Sequence, residues 1–341
     1  ELLVSYDQNM FKDDTILPCG IQVCIDSRKV KPDDIFVPLK GERFDGHDFI
    51  DDAIKKGAKY FLYEKPYECK LQDSLKTKGI SVTDTLKSLH RIAQGWKQYI
   101  NPSYTFALTG STGKTTTKKM LGMILQEKFK DQLVVAQGSL NNEIGVPVSL
   151  LQLTMKHQAI LLEFGARHVG DIELLTKLSL PNIVTCLNVQ GVHLEEFGSF
   201  ENILLTKTEI FRHSSNDAIL VVFADDAKIM NEALKTSKKI ISFGTTHDAD
   251  VRLKEQELIG DGGMKIVLTI FDKDYSINLR YYHDSYGINV CAAVAMSVAA
   301  NIAFDSIREG LSKFEPEKGR FNLTSKDHLT IIDDSYNANP Q

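Results

Sequence analysis

Residues 109–116 read TGSTGKTT, a loop whose residue types suit the binding of a nucleoside triphosphate. Gly110 and Gly113 let the backbone curl so that its N–H groups point inward at phosphate. The Lys114 ammonium can reach the β- and γ-phosphates, and the Thr115 hydroxyl can ligate the accompanying Mg²⁺. These residues therefore predict a bound polyphosphate and its accompanying Mg²⁺ ion. The predicted nucleotide-binding residues of the loop are Gly110, Ser111, Thr112, Gly113, Lys114, Thr115 and Thr116.

The segments on either side of this loop are those that a phosphate loop requires. Residues 104–108 form a short apolar run typical of a buried parallel strand, and apolar residues after Lys114 recur at helical spacing. A glycine turn that merely leads into a helix is the alternative, and it does not account for both flanking elements. The common phosphate-loop spacing would put glycine at 108, where this chain has Leu108, so the loop has the shorter GxxGKT form.

The composition is that of an ordinary globular protein with small-molecule partners. The chain has 341 residues, 43% of them hydrophobic and 25% charged, with a net charge of −5. This balance predicts no nucleic-acid partner and no membrane surface. Five scattered cysteines without a CxxC pair predict free thiols in a cytoplasmic protein. The first twenty residues have no apolar core, so no signal peptide is predicted, and the apolar stretch 288–304 is predicted to be a buried helix.

Residues 1–102 are predicted to form a small N-terminal α/β domain. Helices are expected at 48–56 and from Thr83 onward, the latter with Leu89 and Ala93 on its apolar face. Asn101 and Pro102 then interrupt the helical pattern, which predicts a domain boundary. The predicted strands are 21–25, 35–39 and 59–63.

Residues 103–320 are predicted to form a central domain around a mainly parallel sheet, because strand and helix patterns alternate. Residues 249–282 change to alternating apolar residues and predict an antiparallel meander, and 287–300 predict a buried helix. The predicted parallel strands are 104–108, 133–136, 159–163, 183–188, 218–223 and 240–243.

Several polar residues lie where strands of this domain are predicted to end. Ligands of open parallel sheets bind at the carboxyl ends of strands, so Glu163 is placed to hold Mg²⁺. Taken singly, each candidate has an ordinary explanation. Glu163 could be a plain strand-end acid, His193 a structural histidine, Lys207 a surface lysine, and Asn141-Asn142 a turn.

Taken together and in order, these motifs resemble the Mur ligases of peptidoglycan synthesis. Within that family, NNEIGVP and DDSYNANP favour the branch that adds D-alanyl-D-alanine to UDP-N-acetylmuramoyl-tripeptide over branches that add a single amino acid. The matching stretches are Asp26-Ser27-Arg28, DIFVPLKGERFDGHDFI (34–50), LTGSTGKTTTK (108–118), LNNEIGVP (140–147), EFGARHVGDIELL (163–175), LNVQGVHLEEFGS (187–199), TKTEIF (206–211), Gly319-Arg320 and DDSYNANP (333–340).

The resemblance implies catalytic and metal-binding roles for Lys114, Lys207 and His193. Lys114 would bind phosphate, while Thr115 and Glu163 would hold one Mg²⁺. His193 and Lys207 would serve a second metal ion, the lysine as a carbamate made from CO₂. A carbamate converts the cation into an anionic oxygen ligand that Mg²⁺ accepts.

The resemblance also implies how the substrates are held. Ser27 and Arg28 would contact the uridine diphosphate end of the precursor, and Asn141 and Asn142 are further substrate-binding candidates. The remaining contacts implied with ATP are Asn289 near adenine, Arg320 near the phosphates, and Asp334 and Tyr336 at the hinge and the nucleotide ribose.

The sequence departs from the family pattern near the expected adenine pocket. Ser285 stands where the family commonly has histidine, and His283 lies two residues earlier. Arg167 and Val169 stand where asparagine and proline are usual. We therefore expect the details of the adenine pocket, rather than the class of enzyme, to differ.

The implied activity is an ADP-forming acid–amino-acid ligation through an acyl phosphate, carried out by a monomer. The family continues into a third, Rossmann-like domain, of which residues 321–341 would be the hinge and first strand. We expect a chain ending at Gln341 to bind both ligands but to need that domain for ligation. The alternatives are a nucleotide- and precursor-binding homologue without catalysis, and a sister ligase that adds one amino acid.

Overall fold

The computed structural model describes residues 22–191, 194–260, 262–320, 322–326 and 329–335. The chain divides into two compact units. Of the described residues, one unit contains 22–101 together with Leu150–Leu153, and the other contains Pro102–Ser149 and those from Thr154 onward. Each unit has its own buried core. His193 and residues 336–341 lie outside the described residues.

The first unit is built on a parallel sheet with the strand order β1-β2-β3-β4. The strands are β1 (Val23–Cys24), β2 (Ile35–Phe36), β3 (Tyr60–Glu64) and β4 (Gly79–Val82), and the helices are α1 (Ile50–Lys55), α2 (Asp73–Lys76) and α3 (Thr85–Ile100). The predicted helix at 48–56 is instead a 3-10 turn followed by α1, because the Asp45 side chain accepts the His47 N–H and starts the turn early. The predicted apolar face of α3 is confirmed by the burial of Leu89 and Ala93.

The second unit contains a nine-stranded sheet within the described residues, in the order β13-β12-β11-β10-β9-β8-β5-β7-β6. Pairing is parallel from β6 across to β11 and antiparallel between β11, β12 and β13. The predicted parallel sheet and antiparallel meander are both confirmed. The strands are β5 (Tyr104–Thr109), β6 (Leu133–Val135), β7 (Ala159–Glu163), β8 (Ile183–Cys186), β9 (Ile219–Phe223), β10 (Lys239–Gly244), β11 (Val251–Ile259), β12 (Gly263–Ile270) and β13 (Lys273–Leu279).

The order of these strands reverses at β5. Strands β7 and β8 follow each other in the chain but pair with opposite edges of β5. Chain connections that leave in opposite directions open a crevice beyond the carboxyl ends of the strands, where ligands bind in sheets of this kind. The phosphate loop after β5 therefore lies at the topological switch point.

Helices connect the strands of the second unit and share its buried core with the sheet. Helix α10 is buried over nearly its whole length, as the sequence predicts, and packs against α4. None of the helices in the described ranges is long and apolar enough to cross a bilayer. The helices are α4 (Lys114–Phe129), α5 (Gly145–Leu150), α6 (Asp171–Ser179), α7 (Leu194–Phe197), α8 (Phe200–His213), α9 (Ala227–Leu234), α10 (Tyr286–Ala299) and α11 (Phe304–Ser312).

Residues 322–333 add a separate antiparallel pair, β14 (Asn322–Lys326) and β15 (Leu329–Asp333). The first strand expected within 321–341 is thus represented by two paired antiparallel strands. Ser335, the last described residue, hydrogen bonds the Asp333 carboxylate and ends this hairpin.

Candidate active site

Two glycines fix the shape of the phosphate loop between β5 and α4. Gly110 has φ 154° and Gly113 has φ 76°. A Cβ atom added to Gly113 would lie 2.7 Å from Asn289 Oδ1, so this position needs glycine both for its backbone conformation and for the close approach. Helix α4 begins at Lys114, so its N-terminal N–H groups and dipole face the loop.

The segment after β8 holds the loop through a set of hydrogen bonds. The Thr112 N–H donates to Asn188 Oδ1 at 3.0 Å, and Asn188 Nδ2 donates back to the Thr112 carbonyl at 3.1 Å. The Ser111 N–H donates to the Asn188 carbonyl, and the Gln190 N–H donates to Ser111 Oγ at 2.9 Å. Asn188 was not among the residues predicted from the sequence. Its position just beyond the end of β8 was the available signal.

The Lys114 side chain folds back over the loop that precedes it. Its Nζ donates to the Gly110 carbonyl at 2.7 Å and to the Ser111 carbonyl at 3.0 Å. Burial lowers the pKa of Lys114, and the negative charge of Glu163 opposes that shift. A phosphate oxygen would be a stronger acceptor than either carbonyl because it carries charge. Lys114 is therefore placed to bind an anion in this loop.

Glu163 ends β7 beside the phosphate loop, in register with Leu108 of β5. Its Oε1 accepts a hydrogen bond from Asn141 Nδ2 at 3.1 Å, and its Oε2 lies 3.2 Å from Lys118 Nζ. That ion pair is not aligned as a hydrogen bond, so Oε2 is buried without a hydrogen-bond partner among the described residues. The structure thus brings together the loop, Glu163 and Asn141.

These residues fit a magnesium ion. Mg²⁺ prefers oxygen ligands and is usually held by one or two protein side chains together with substrate phosphates. In the described part of the chain, Glu163 Oε2 and the Thr115 hydroxyl have no hydrogen-bond partner and remain available. No group of three or more His, Cys, Asp or Glu residues in the described ranges is arranged to hold a metal ion.

Lys207 is a buried cation on α8, with only 5% of its surface exposed. No described residue accepts a hydrogen bond or forms an ion pair with its ammonium. Burial, together with the positive charge of Lys114, lowers the pKa of Lys207 to about 8. Leaving a buried charge without a partner is unfavourable, so the site gives Lys207 a larger fraction of neutral amine than an exposed lysine has.

Helix α8 is tied to the loop that follows Glu163. The Glu209 carboxylate accepts the Gly170 N–H at 3.2 Å and the Glu173 N–H at 2.8 Å, which caps the N-terminus of α6. Because Glu209 lies two residues after Lys207, this cap fixes the part of α8 that carries the lysine.

Other predicted nucleotide contacts lie around the start of α4. Asn289 is buried, and its Oδ1 accepts a hydrogen bond from Thr117 Oγ1 at 3.3 Å, so its amide packs against Gly113 and α4. The positive charge of Arg320 contributes to the lowered pKa of Lys114. Burial raises the pKa of the Tyr286 hydroxyl to about 12, and the negative charge of Asp334 contributes to that increase.

The residues expected to shape the adenine pocket contact one another. Ser285 Oγ lies 2.8 Å from His283 Nδ1, and the Ser285 N–H donates to the same nitrogen at 3.1 Å. His283 therefore sits against the residue that replaces the usual histidine. Arg167 and His168 donate their backbone N–H groups to the Asp171 carboxylate, which orders the loop after Glu163.

Asn141 and Asn142 have different local partners. Asn141 contacts Glu163, whereas Asn142 Oδ1 accepts the Gly145 N–H at 2.9 Å and so caps α5. The structure therefore gives Asn142 a structural partner in addition to its predicted role in substrate binding.

In the first unit, the predicted uridine diphosphate contacts follow the carboxyl end of β1. Arg28 makes two 2.9 Å hydrogen bonds to Asp26, and these bonds lower the pKa of that carboxyl to about 2. The Arg28 side chain is 84% exposed, so the pair adds little stability and leaves the guanidinium accessible. The Ser27 carbonyl accepts a hydrogen bond from Lys56 Nζ at 3.0 Å.

This combination of a parallel sheet, a GxxGKT loop and a strand-end carboxylate is that of a P-loop nucleotide-binding protein, and comparison with known families assigns it to the ATP-dependent ligases. The Mur ligase middle domain matches residues 108–297, more than half of the chain, and the catalytic domain of the Mur ligase family matches residues 22–97. The chain belongs to the Mur ligase family, as the sequence motifs predict.

Individual relatives and solved structures show which members of the family this chain resembles. The chain is 32% identical over 317 residues to the UDP-N-acetylmuramoyl-tripeptide–D-alanyl-D-alanine ligase of Haemophilus influenzae. This alignment covers 92% of this chain and 67% of that protein. It is similar to the crystal structure of MurF from Acinetobacter baumannii, with a TM-score of 0.85 and 33% identity. That alignment covers 94% of this chain and 68% of the Acinetobacter chain. The MurF ligase from Thermotoga maritima in complex with ADP gives a TM-score of 0.84 and 32% identity. Its alignment covers 94% of this chain and 72% of the Thermotoga chain.

Proposed function

We propose that this protein joins D-alanyl-D-alanine to UDP-N-acetylmuramoyl-tripeptide in peptidoglycan precursor synthesis, with conversion of ATP to ADP and phosphate. The observation that carries the proposal is the phosphate loop beside Glu163 on the neighbouring strand. The relative from Haemophilus influenzae, aligned over 92% of this chain, bears the name of that activity. The ADP complex of a similar structure supports ATP as the phosphoryl donor.

The reaction divides into two steps that use substrate groups as nucleophiles. A terminal carboxylate oxygen of the tripeptide attacks the γ-phosphorus of ATP, the bond to the bridging oxygen breaks, and ADP leaves. The amine of D-alanyl-D-alanine then attacks the carbonyl carbon of the acyl phosphate. The carbon–oxygen bond to phosphate breaks and the amine loses a proton, so an amide and inorganic phosphate result.

The protein contributes positioning and charge to these steps. The loop N–H groups bind the phosphates, and Lys114 neutralises charge on the transferring phosphoryl group. Thr115 and Glu163 would hold Mg²⁺, which supplies Lewis-acid stabilisation of the phosphate oxygens. Asn188 keeps the loop in its binding shape through the hydrogen bonds between its side chain and Thr112.

We further propose that Lys207 is carbamylated and that the carbamate, with His193, ligates a second metal ion. The support is the burial of Lys207 without a described partner and its lowered pKa of about 8. Carbamate formation joins the neutral amine nitrogen to the carbon of CO₂ and releases one proton. The anionic product would resolve the cost of an unpaired buried cation.

The substrates and setting follow from the same family relationship. Ser27 and Arg28 would bind the uridine diphosphate of the precursor, and Asn141 and Asn142 lie on a loop next to Glu163 that would face the peptide. Asn289, Arg320 and Asp334 would complete the nucleotide site. We place the reaction in the cytoplasm and expect a monomer. The free cysteines that support a reducing compartment are Cys24, Cys69, Cys186 and Cys291.

The test is an amine-specificity assay on the natural full-length protein. With UDP-N-acetylmuramoyl-tripeptide and Mg²⁺–ATP, we expect D-alanyl-D-alanine to give one UDP-linked pentapeptide per ADP formed. The matched reaction of a sister ligase uses 2,6-diaminopimelate as the amine and UDP-N-acetylmuramoyl-L-alanyl-D-glutamate as the acceptor. Faster ligation of a single amino acid would favour a sister ligase. Binding of both ligands without ADP formation would favour the non-catalytic homologue.

A further inference from the structure

Lys118 is a second buried lysine on α4, one helical turn beyond Lys114. Its side chain is 5% exposed, and that of its ion-pair partner Glu163 is 4% exposed. A lysine of this helix would ordinarily extend into solvent, since lysine is almost never fully buried unless paired. Lys118 therefore lies inside the site, although neither the phosphate loop nor the proposed mechanism uses it.

The ammonium of Lys118 connects three elements. Besides approaching Glu163 Oε2 at 3.2 Å, it donates a hydrogen bond to the Gly138 carbonyl at 2.9 Å. Gly138 begins the loop that carries Asn141, whose amide donates to the other oxygen of Glu163. One cation and one carboxylate therefore link three elements, namely α4, the end of β7 and the loop 138–142.

The loop is packed closely against the residues after β7. The Gly165 N–H donates to the Asn141 carbonyl at 2.7 Å. A Cβ atom added to Gly165 would come within 3.2 Å of the Asn141 amide. Movement of the Glu163 carboxylate would therefore be transmitted to Asn141 and to the rest of the loop.

We propose that Lys118 is a positioning residue that acts as the counter-charge of Glu163 before Mg²⁺ binds and couples the metal site to the loop 138–142. This inference rests on the proposed function because it assumes that Glu163 holds the metal. Two buried unit charges at this distance interact strongly. The carboxylate is thus kept in place for the metal, and the approaching Mg²⁺ must overcome repulsion from the ammonium.

Removing the charge of Lys118 should therefore make the stability of the protein depend on bound Mg²⁺. In Lys118→Met, Glu163 loses its ion-pair partner and keeps only the longer-range charge of Lys114, so we expect the melting temperature without ligand to fall by on the order of 10 °C. Mg²⁺–ADP then supplies the missing charge. We expect the Mg²⁺ concentration that gives half-maximal ADP binding to fall at least about tenfold.

Three variants separate this role from simple packing. Lys118→Arg keeps the charge and should retain a Mg²⁺ requirement close to that of the wild type. The double variant Lys118→Met/Glu163→Gln removes both charges and should recover most of the lost melting temperature. If Lys118→Met does not fold without ligand, the double variant must still fold. A double variant that remains unfolded would overturn the proposal.

The readouts are melting curves and calorimetric ADP titrations at several Mg²⁺ concentrations, neither of which needs ligation. Wild-type binding of Mg²⁺–ADP with an unchanged Mg²⁺ requirement in Lys118→Met would overturn this inference alone. Failure of the wild type to bind Mg²⁺–ADP would overturn the proposed function and this inference with it. If Lys118→Met shows the expected lower Mg²⁺ requirement but the wild type makes no pentapeptide, only the proposed ligation is overturned.

Discussion

Replacement of Lys114 by methionine is expected to weaken the binding of Mg²⁺–ADP by about 10- to 150-fold. The physical reason is the loss of charge-assisted hydrogen bonds to phosphate, which contribute roughly 1.5–3 kcal/mol. The variant keeps an unbranched side chain in the buried position and leaves the loop carbonyls of Gly110 and Ser111 without their lysine donor. Isothermal titration of Mg²⁺–ADP into both proteins measures the effect.

Lys128 provides a matched control on the same helix. It is an exposed lysine near the other end of α4, about 21 Å from Lys114 at the helical rise per residue. Lys128→Met removes the same charge and should leave the affinity for Mg²⁺–ADP within about twofold of the wild type. Equal affinities in the wild type and Lys114→Met would mean that the loop does not bind phosphate through this lysine.

Replacement of Lys207 by alanine is expected to lower the ligation rate by about 10²- to 10⁴-fold. A lost metal ligand removes several kcal/mol of transition-state stabilisation. The fold should survive, because the variant removes a buried cation that has no described partner. A short carboxylate such as acetate can occupy the vacated space and should restore part of the rate. Full activity in Lys207→Ala without added carboxylate would show that the lysine has no catalytic role.

The carbamate itself can be detected with ¹³C-labelled bicarbonate and NMR. We expect a carbamate resonance in the wild type that is absent in Lys207→Ala and that grows as the pH rises toward 8, because CO₂ reacts only with the neutral amine. Lys238 is an internal control. Burial also lowers its pKa, but its ammonium donates to Phe211 and Ser214, so it should remain unmodified. A signal that persists in Lys207→Ala would contradict the assignment.

The sequence predicted the parts of the site that depend on local patterns. The strand–loop–helix unit around Gly110, Gly113 and Lys114 is defined by neighbouring residues, so its geometry follows from glycine conformations and helical spacing. The meander was predictable for the same reason, since alternation within each strand indicates its exposed and buried faces. The assignment of Glu163 to the sheet edge beside the loop also follows from the parallel pairing of β5 and β7.

The remaining contacts depend on residues distant in the chain. Asn188 lies 76 residues beyond Thr112, and nothing in its local pattern indicates that its amide holds the loop. Lys118 occurs in the polar run TTTKK, which resembles a solvated helix face, yet Gly138 and Glu163 bury it. In the first unit, α2 and β4 have four residues each, too few for a periodicity to be recognised.

The measurement that tests the central claim most directly follows an oxygen atom through the reaction. UDP-N-acetylmuramoyl-tripeptide labelled with ¹⁸O in its terminal carboxylate is incubated with Mg²⁺–ATP, D-alanyl-D-alanine and the full-length protein. Ligation through an acyl phosphate predicts one ¹⁸O atom in the inorganic phosphate for each pentapeptide formed, because the attacking carboxylate oxygen leaves with the phosphoryl group. Pentapeptide formed together with unlabelled phosphate would contradict this account.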